Sequence, residues 1–258
     1  MKHMSKVVIV TGAARGLGLA CAERFISEGA KVFLVDIQKD KLDESVKRLG
    51  PDAASYACDL SKLSTPEAKD LVDKAVEIFG RVDILVNNAG IIHLADFVDF
   101  PEEMFDLTQR INVKAAFLIG QAVARQMISQ GNGGAVVNMS SVNANLAIPN
   151  AVAYAVSKGA MKQLTAVMAV GLAQHGIRVN AVGPGTILTD LVSGSIMSSE
   201  TARRNVLART PMGRCGEPAE VASVVSFLAS DDASYIIGQT IYPDGGRSIV
   251  NYMVPVKE

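Results

Sequence analysis

Cysteine is scarce in these 258 residues, occurring only at Cys21, Cys58 and Cys215. An odd number of widely separated thiols builds no disulfide framework, and no two share CxxC spacing, so a reducing cytoplasm is the expected home. Histidine is equally sparse: His3, His93 and His175 are dispersed, and none pairs with another at metal-ligand spacing. No metal site is expected. The sequence has no run of Lys and Arg, and 25 basic against 26 acidic residues give a formal net charge of −1. That balance offers no electrostatic reason to bind nucleic acid or an anionic membrane. The opening MKHMSK leads into the short apolar run VVIV, ended by Thr11 and Gly12, too short for a signal peptide's apolar region. No stretch approaches the ~20 apolar residues of a membrane span. Linkers, low-complexity segments and internal repeats are also missing, so residues 1–258 read as one domain acting on a small molecule.

What is present is alternation. Apolar strand-like runs at residues 6–10, 31–36, 54–59, 83–88, 135–140, 177–182 and 239–244 are separated by helical stretches at about 16–29, 39–49, 65–79, 102–129, 151–174 and 217–230. Strands this apolar, each followed by a helix, predict a doubly wound α/β sheet of about seven parallel strands with helices on both faces. Ligands of such a sheet sit at the carboxyl ends of its strands. Residues 189–210, rich in small and polar side chains, read as a lid over the site.

The segment TGAARGLG, residues 11–18, lies between the first strand and the first helix. Gly12, Gly16 and Gly18 permit a tight turn where free N–H groups and the helix dipole favour a phosphate. Asp36 ends the second strand 18 residues after Gly18, near the offset of an acid that binds a ribose; the alternative is a simple helix cap. Setting a 2′-phosphate ~4 Å from this carboxylate would cost several kcal/mol even at an effective dielectric of ~20, which favours NAD over NADP. Arg15 pulls the other way, since a guanidinium beside the turn would partly neutralise such a phosphate.

Tyr154 and Lys158 lie at i and i+4 in a helical stretch and so share a face. Bringing a tyrosine pKa from ~10 to ~7 needs about 4 kcal/mol. A cation ~4–5 Å away supplies roughly 3–4 kcal/mol at an effective dielectric of ~20. Desolvation opposes the shift, and the positive charge of an oxidised nicotinamide assists it.

These motifs resemble those of the short-chain dehydrogenases/reductases along nearly the whole chain. TGAARGLG is similar to that family's TGxxxGxG turn, with Leu17 where isoleucine is common, and NNAG at residues 87–90 to its motif after the fourth strand. The resemblance implies a Rossmann fold and an oxidoreductase acting on CH–OH groups. It also implies cofactor contacts from Arg15, Leu17, Asp36, Ile37, Asp59, Leu60, Asn88, Ala89, Gly90, Tyr154, Lys158, Pro184, Gly185, Thr186 and Thr189. The family's serine precedes its tyrosine by about 13 residues, which selects Ser141 over Ser140 as the donor to the reacting oxygen. Ser140 reads as a strand-end residue satisfied by backbone. Asn112, in RINVKAAF, matches the family's asparagine, whose implied role is to hold a water linking Lys158 to solvent. Asn112, Ser141, Tyr154 and Lys158 are then a complete catalytic set. Family members are usually homotetramers.

Fold and chemistry do not name a substrate. Acyl-carrier reductases often place basic residues near the ends of the two long helices, where this chain reads QGNGG and QHG without Lys or Arg. His93 and Asn143, with Ser141 and Tyr154, form the expected substrate side, and these polar side chains suit a sugar or polyol. Asn145 and Asn150 are either part of it or turn-making loop residues. An NADPH-linked 3-oxoacyl thioester reductase and a hydroxysteroid dehydrogenase are the alternatives. A nucleotide sensor without turnover would have lost a member of the catalytic set, and none is lost.

Overall fold

The apolar runs become strands because β-branched residues on both faces of a parallel sheet are covered by helices. The computed structural model describes residues 1–189 and 199–256. In chain order the elements are β1 (Val7–Thr11), α1 (Gly16–Ser27), β2 (Lys31–Asp36), α2 (Lys39–Leu49), β3 (Ala53–Ala57), α3 (Thr65–Phe79) and β4 (Ile84–Asn87). There follow α4 (Glu102–Gln109), a π-helical turn (Arg110–Lys114), α5 (Ala115–Gln130), β5 (Gly134–Met139), α6 (Val152–Leu172) and β6 (Ile177–Val182). The series closes with α7 (Glu200–Leu207), α8 (Pro218–Ala229) and β7 (Thr240–Ile241).

The strands form one seven-stranded sheet in the order β3-β2-β1-β4-β5-β6-β7, and every pairing is parallel. All seven carboxyl ends therefore meet along one edge, and the order reverses between β1 and β4, where a doubly wound sheet opens its crevice. Successive strand residues face opposite ways. Val8 and Val10 join Val32 and Leu34 in a core with Phe25 of α1 and Val221 and Leu228 of α8. Ile9 joins Phe33 and Val136 in a second core with Leu71 of α3 and Ile119 and Met127 of α5.

Local chemistry sets the boundaries. Ser64 and Glu67 form a reciprocal capping box that starts α3, and Gly80, at φ 84°, ends it. The strand expected over residues 83–88 begins instead at Ile84, because the Asp83 carboxylate accepts from the Val7 backbone N–H at 2.9 Å and from Arg81 at 2.6 Å. The single helix expected over residues 102–129 is broken by the π turn, which inserts an extra residue and rotates the following side chains. The last strand is two residues long rather than six: Pro243 carries no N–H for the ladder, and Tyr242 turns its side chain against Gly183. Of the expected lid, residues 190–198 lie outside the described residues, and α7 occupies most of the rest, with the Ser199 hydroxyl capping its start. Among the described residues, no helix is long and apolar enough to cross a membrane.

The amino-terminal segment is strapped beneath the sheet. His3 donates its backbone N–H to the Glu28 carbonyl at 3.1 Å, and Ser5 donates to that of Gly29 at 3.0 Å. The buried His3 ring lies 4.9 Å from Phe25, and its Nε2 is 3.1 Å from the Ser226 hydroxyl. Ser226 in turn donates to the Glu28 carboxylate, which also accepts from Arg24. Lys2, Asp231 and Asp232 are the other charges at this end. Burial holds the His3 pKa below its ordinary 6.5, although Glu28 pulls it up in part. Burial pushes Glu28 up, but the bonds from Ser226 and Arg24 outweigh it and leave the carboxyl below its usual 4.5. Below pH 6.5 the unfolded chain takes up a proton that folded His3 refuses, so stability falls as pH falls; Glu28 adds a loss of the same sign below 4.5. Thermal melts between pH 7 and 5 are expected to show this decline, and His3→Gln, which does not titrate, is expected to flatten it.

Candidate active site

The first turn after the sheet is fixed from the neighbouring strand. Thr11, the last residue of β1, accepts at its hydroxyl from the backbone N–H groups of Asn88 (3.0 Å) and Ala89 (3.1 Å). The Asn88 side chain returns two bonds, to the carbonyls of Thr11 (2.9 Å) and Gly12 (3.1 Å). Gly12 has φ 65° and Gly16 φ 57°, a region that penalises any side chain. A Cβ on Gly18 would lie 2.1 Å from the Gly12 carbonyl oxygen, whereas one on Gly16 would meet nothing nearer than Thr189 at 3.7 Å. The turn is thus closed on the protein side and open at the start of α1, where Arg15 makes no side-chain cap and the first N–H groups of a helix have no intrahelical acceptor. This cradle fits a pyrophosphate.

Asp36 stands beside it. One carboxylate oxygen accepts from the Ala14 N–H at 3.1 Å and the other from the Gln38 N–H at 3.0 Å. Each oxygen keeps a lone pair for a ribose hydroxyl. The α2 cap position belongs to Gln38, so Asp36 braces the glycine turn rather than capping the helix. Ile37 beside it is exposed. Asp59 caps a short 3-10 turn, accepting from the Ser61 N–H and hydroxyl, and these bonds hold its carboxyl below the usual range. Leu60 is buried beneath it. Farther along the edge, the Pro184 carbonyl accepts from Val142 at 3.1 Å, and a Cβ on Gly185 would lie 2.8 Å from the Cα of Asp244. Pro184, Gly185, Thr186 and Thr189 therefore line the same edge as the glycine turn.

The chemical groups meet where β5 ends. Ser140 donates its backbone N–H to Val182 at 2.7 Å and its hydroxyl to the Lys158 carbonyl at 3.1 Å. Both polar groups of Ser140 are spent on structure. Ser141 caps the next 3-10 turn by accepting from the Asn143 N–H at 3.1 Å, which leaves its hydroxyl hydrogen to be directed at the Tyr154 phenol or at a substrate oxygen beside it. On α6, Lys158 is 4% exposed and donates to the Met139 carbonyl at 2.8 Å, with its Nζ 5.4 Å from the centre of the Tyr154 ring. Burial lowers the Lys158 pKa to about 8. It also lifts the Tyr154 phenol, against a smaller downward pull from the Ser141 hydroxyl.

The π turn delivers Asn112 into this cluster. Its Oδ1 accepts from the Ile91 N–H at 2.8 Å, and its Nδ2 donates to the Ile91 carbonyl at 3.0 Å and to the Ser157 hydroxyl at 2.9 Å. A Cβ on Gly90 would lie 3.3 Å from Asn112 Oδ1 and 3.7 Å from Lys158 Nζ. Glycine at this position keeps the ground between those two polar atoms free of side chain.

The expected substrate side is assembled less tightly. His93 packs edge-on against Phe100 with ring centres 5.6 Å apart, and Asn143 is half-buried beside Ser141. Asn145 points elsewhere, donating to the Tyr242 hydroxyl at 2.8 Å and accepting from Lys162 at 2.9 Å. Asn150 contributes its backbone carbonyl, which accepts from the Ala95 N–H at 3.0 Å. Gln109, which donates to the Ala153 carbonyl at 2.9 Å, Ser157 and the Met139 carbonyl escaped the sequence reading. Each has a partner remote in sequence that no local pattern announces.

Comparison with known proteins identifies the family. A family model described as enoyl-(acyl carrier protein) reductase matches residues 12–248. A 3-oxoacyl-acyl-carrier-protein reductase of Thermotoga maritima is 42% identical over 96% of this chain and all of its own length. An NAD(P)-linked L-rhamnose 1-dehydrogenase of Azotobacter vinelandii is 39% identical over 95% of this chain and 98% of its own. A crystal structure of a short-chain type dehydrogenase/reductase from Mycobacterium marinum superposes with a TM-score of 0.90 at 33% identity, covering 96% of this chain and 98% of that one. The chain belongs to the short-chain dehydrogenase/reductase family of NAD(P)-dependent oxidoreductases.

Burying Lys158 has a measurable cost. Its pKa of about 8 in the fold, against 10.5 free, corresponds to about 3 kcal/mol lost below pH 8. Between pH 8 and 10.5 the folded protein releases this proton before the unfolded chain does, so stability recovers as pH rises. Lys158→Met gives up one hydrogen bond worth about 1 kcal/mol. It is therefore expected to melt several degrees higher than the parent at pH 7, with the advantage shrinking above pH 8.

Proposed function

We propose that the protein interconverts a secondary alcohol and its ketone with NAD, and that its substrate is a sugar or polyol. The observation that carries this reading is the buried Lys158 beside Tyr154, placed against the end of β5 with the Ser141 hydroxyl next to the phenol. When bound, the nicotinamide supplies the hydride acceptor or donor. Ser141 donates a hydrogen bond to the substrate oxygen, and Tyr154 removes the alcohol proton or returns it to the ketone. Lys158 favours the tyrosinate and holds the nicotinamide ribose, while Asn112 positions the water that passes the proton outward. In the chain by itself burial keeps the phenol protonated, so Tyr154 becomes a base once a cationic nicotinamide lies beside it.

The cofactor preference rests on Asp36, whose carboxylate would repel a 2′-phosphate. The remaining contacts proposed for it are Gly12, Arg15, Gly16, Leu17, Gly18, Ile37, Asp59, Leu60, Asn88, Ala89, Gly90, Pro184, Gly185, Thr186 and Thr189. His93 and Asn143 are the proposed substrate contacts beyond Ser141 and Tyr154. The similarity to a rhamnose dehydrogenase supports a polyhydroxyl substrate. The similarity to a 3-oxoacyl reductase supports the rival reading, an NADPH-linked thioester reductase. Against that rival, the carboxyl-terminal ends of α5 and α6 run into QGNGG and QHG, without Lys or Arg for an acidic carrier. A homotetramer built on the long helices accords with the exposure of Phe117, Val167 and Val170 on α5 and α6. Three free thiols accord with a reducing cytoplasm.

A screen of sugars, polyols, hydroxysteroids and acyl thioesters with NAD and NADP is expected to give NAD-linked turnover on a polyhydroxyl compound. Turnover confined to acyl thioesters would overturn the substrate reading. Tyr154→Phe is expected to lower turnover by ~10²–10⁴-fold, the range of a lost general base, with the melting temperature retained. Asp36→Ala is expected to weaken NAD binding and narrow the preference over NADP, as read by titration of each cofactor.

A further inference from the structure

We infer that Ser157 is a positioning residue of this site, the side chain that ties the Asn112 amide to the backbone of Tyr154. The inference rests on the reading of Asn112, Tyr154 and Lys158 as reacting machinery and adds a member to it. Ser157 is completely buried. Its hydroxyl donates to the Tyr154 carbonyl at 2.7 Å and accepts from Asn112 Nδ2 at 2.9 Å. Both hydrogens of that amide are then used, one on Ser157 and one on the Ile91 carbonyl. Oδ1 spends one lone pair on the Ile91 N–H and keeps the other on the side of Gly90 and Lys158.

The π turn gives this bond its meaning. π turns are rare and less favourable than a regular helix, and they cluster at functional sites. Here the turn brings Asn112 into α6, and Gln109 one turn earlier donates to the Ala153 carbonyl at 2.9 Å. Side chains on the α4 side thus grip the first turn of α6 at two consecutive residues: Gln109 directly on Ala153, and Asn112 on Tyr154 through Ser157. Removing the Ser157 hydroxyl leaves one amide hydrogen buried without a partner and the amide held by Ile91 alone. The remaining Oδ1 lone pair is then less firmly placed relative to Lys158. A plain packing serine would influence melting temperature alone, whereas a positioning residue must alter how the Tyr154–Lys158 pair titrates.

The test compares the parent with Ser157→Ala, Ser157→Thr, Asn112→Ala and the double variant Asn112→Ala/Ser157→Ala. Ionisation of Tyr154 is followed by ultraviolet tyrosinate absorbance, with Tyr154→Phe as the blank, and turnover is followed against pH on whichever alcohol the screen identifies. Ser157→Ala is expected to shift both the Tyr154 titration and the pH profile by about half a pH unit or more. Turnover should fall about tenfold with less than a twofold change in KM for the cofactor. Ser157→Thr, which keeps the hydroxyl, should restore the profile even if its added methyl lowers the melting temperature. In the Asn112→Ala background the Ser157→Ala change should shift nothing further. The inference is overturned if Ser157→Ala lowers the melting temperature but leaves titration and profile unmoved, or if it shifts them equally with and without Asn112. Near-normal turnover of Tyr154→Phe would refute the catalytic reading instead, and the absorbance titration would still decide the linkage of Ser157 to Tyr154.

Discussion

A single ammonium group, driven under the carboxyl edge of a parallel sheet, organises this molecule. Lys158 reaches from α6 to the last carbonyl of β5 and is almost fully withdrawn from water. Such burial is unfavourable for a cation, and the fold tolerates it because one strong hydrogen bond and the π-face of Tyr154 lie within reach. The cost is spent on placement. A lysine held this rigidly is a fixed positive centre beside a phenol, which a solvated lysine on the same helix would not be. The neighbouring residues follow from that constraint: Ser140 anchors the Lys158 carbonyl, Gly90 leaves the ground beside its Nζ open, and the π turn brings Asn112 to the same spot.

The cofactor end obeys a different constraint, the need for backbone to come close to an anion. Gly18 admits no side chain against the Gly12 carbonyl, and Asn88 and Thr11 lock the turn to the loop after β4. Two glycine-bearing segments far apart in sequence are therefore one rigid body. The Asp36 carboxylate completes it by accepting from the Ala14 N–H. The glycine turn and the Asp36 carboxylate, the proposed phosphate and ribose contacts, are consequently set relative to each other by the chain's own hydrogen bonds, and such preorganisation lowers the ordering cost of binding.

Most of the architecture was legible along the chain because strands covered on both faces are uniformly apolar, and their period needs no partner to be recognised. The glycine turn, Asp36 and the Tyr154–Lys158 spacing were visible for a similar reason, since each is a local pattern. Elements whose form depends on distant groups were not. The break in the helix after Gln109 has no proline or glycine to announce it, the shortening of β7 depends on how Tyr242 meets Gly183, and α7 lies in a stretch whose composition reads as a lid. Among the polar loop residues, the sequence put Asn143 on the expected substrate side and left Asn145 open between that side and a turn, and the tertiary fold separates them. Asn143 stays beside Ser141, while Asn145 is engaged by Tyr242 and Lys162.

The amino-acid sequence by itself determined a parallel sheet of about seven strands and brought forward the groups proposed to do the chemistry, because burial period, turn glycines and helical spacing are local properties. Tertiary structure decided which of those groups touch. It separated Ser141, whose hydroxyl faces the Tyr154 phenol, from Ser140, whose hydroxyl is spent on the Lys158 carbonyl, and it chose Met139 as the partner of Lys158. It also joined Asn112 to Tyr154 through Ser157. The longer of these pairings are set by packing across the sheet edge, where the bonds from Lys158 to Met139 and from Asn112 to Ser157 span 19 and 45 residues of sequence and leave no periodic trace in it.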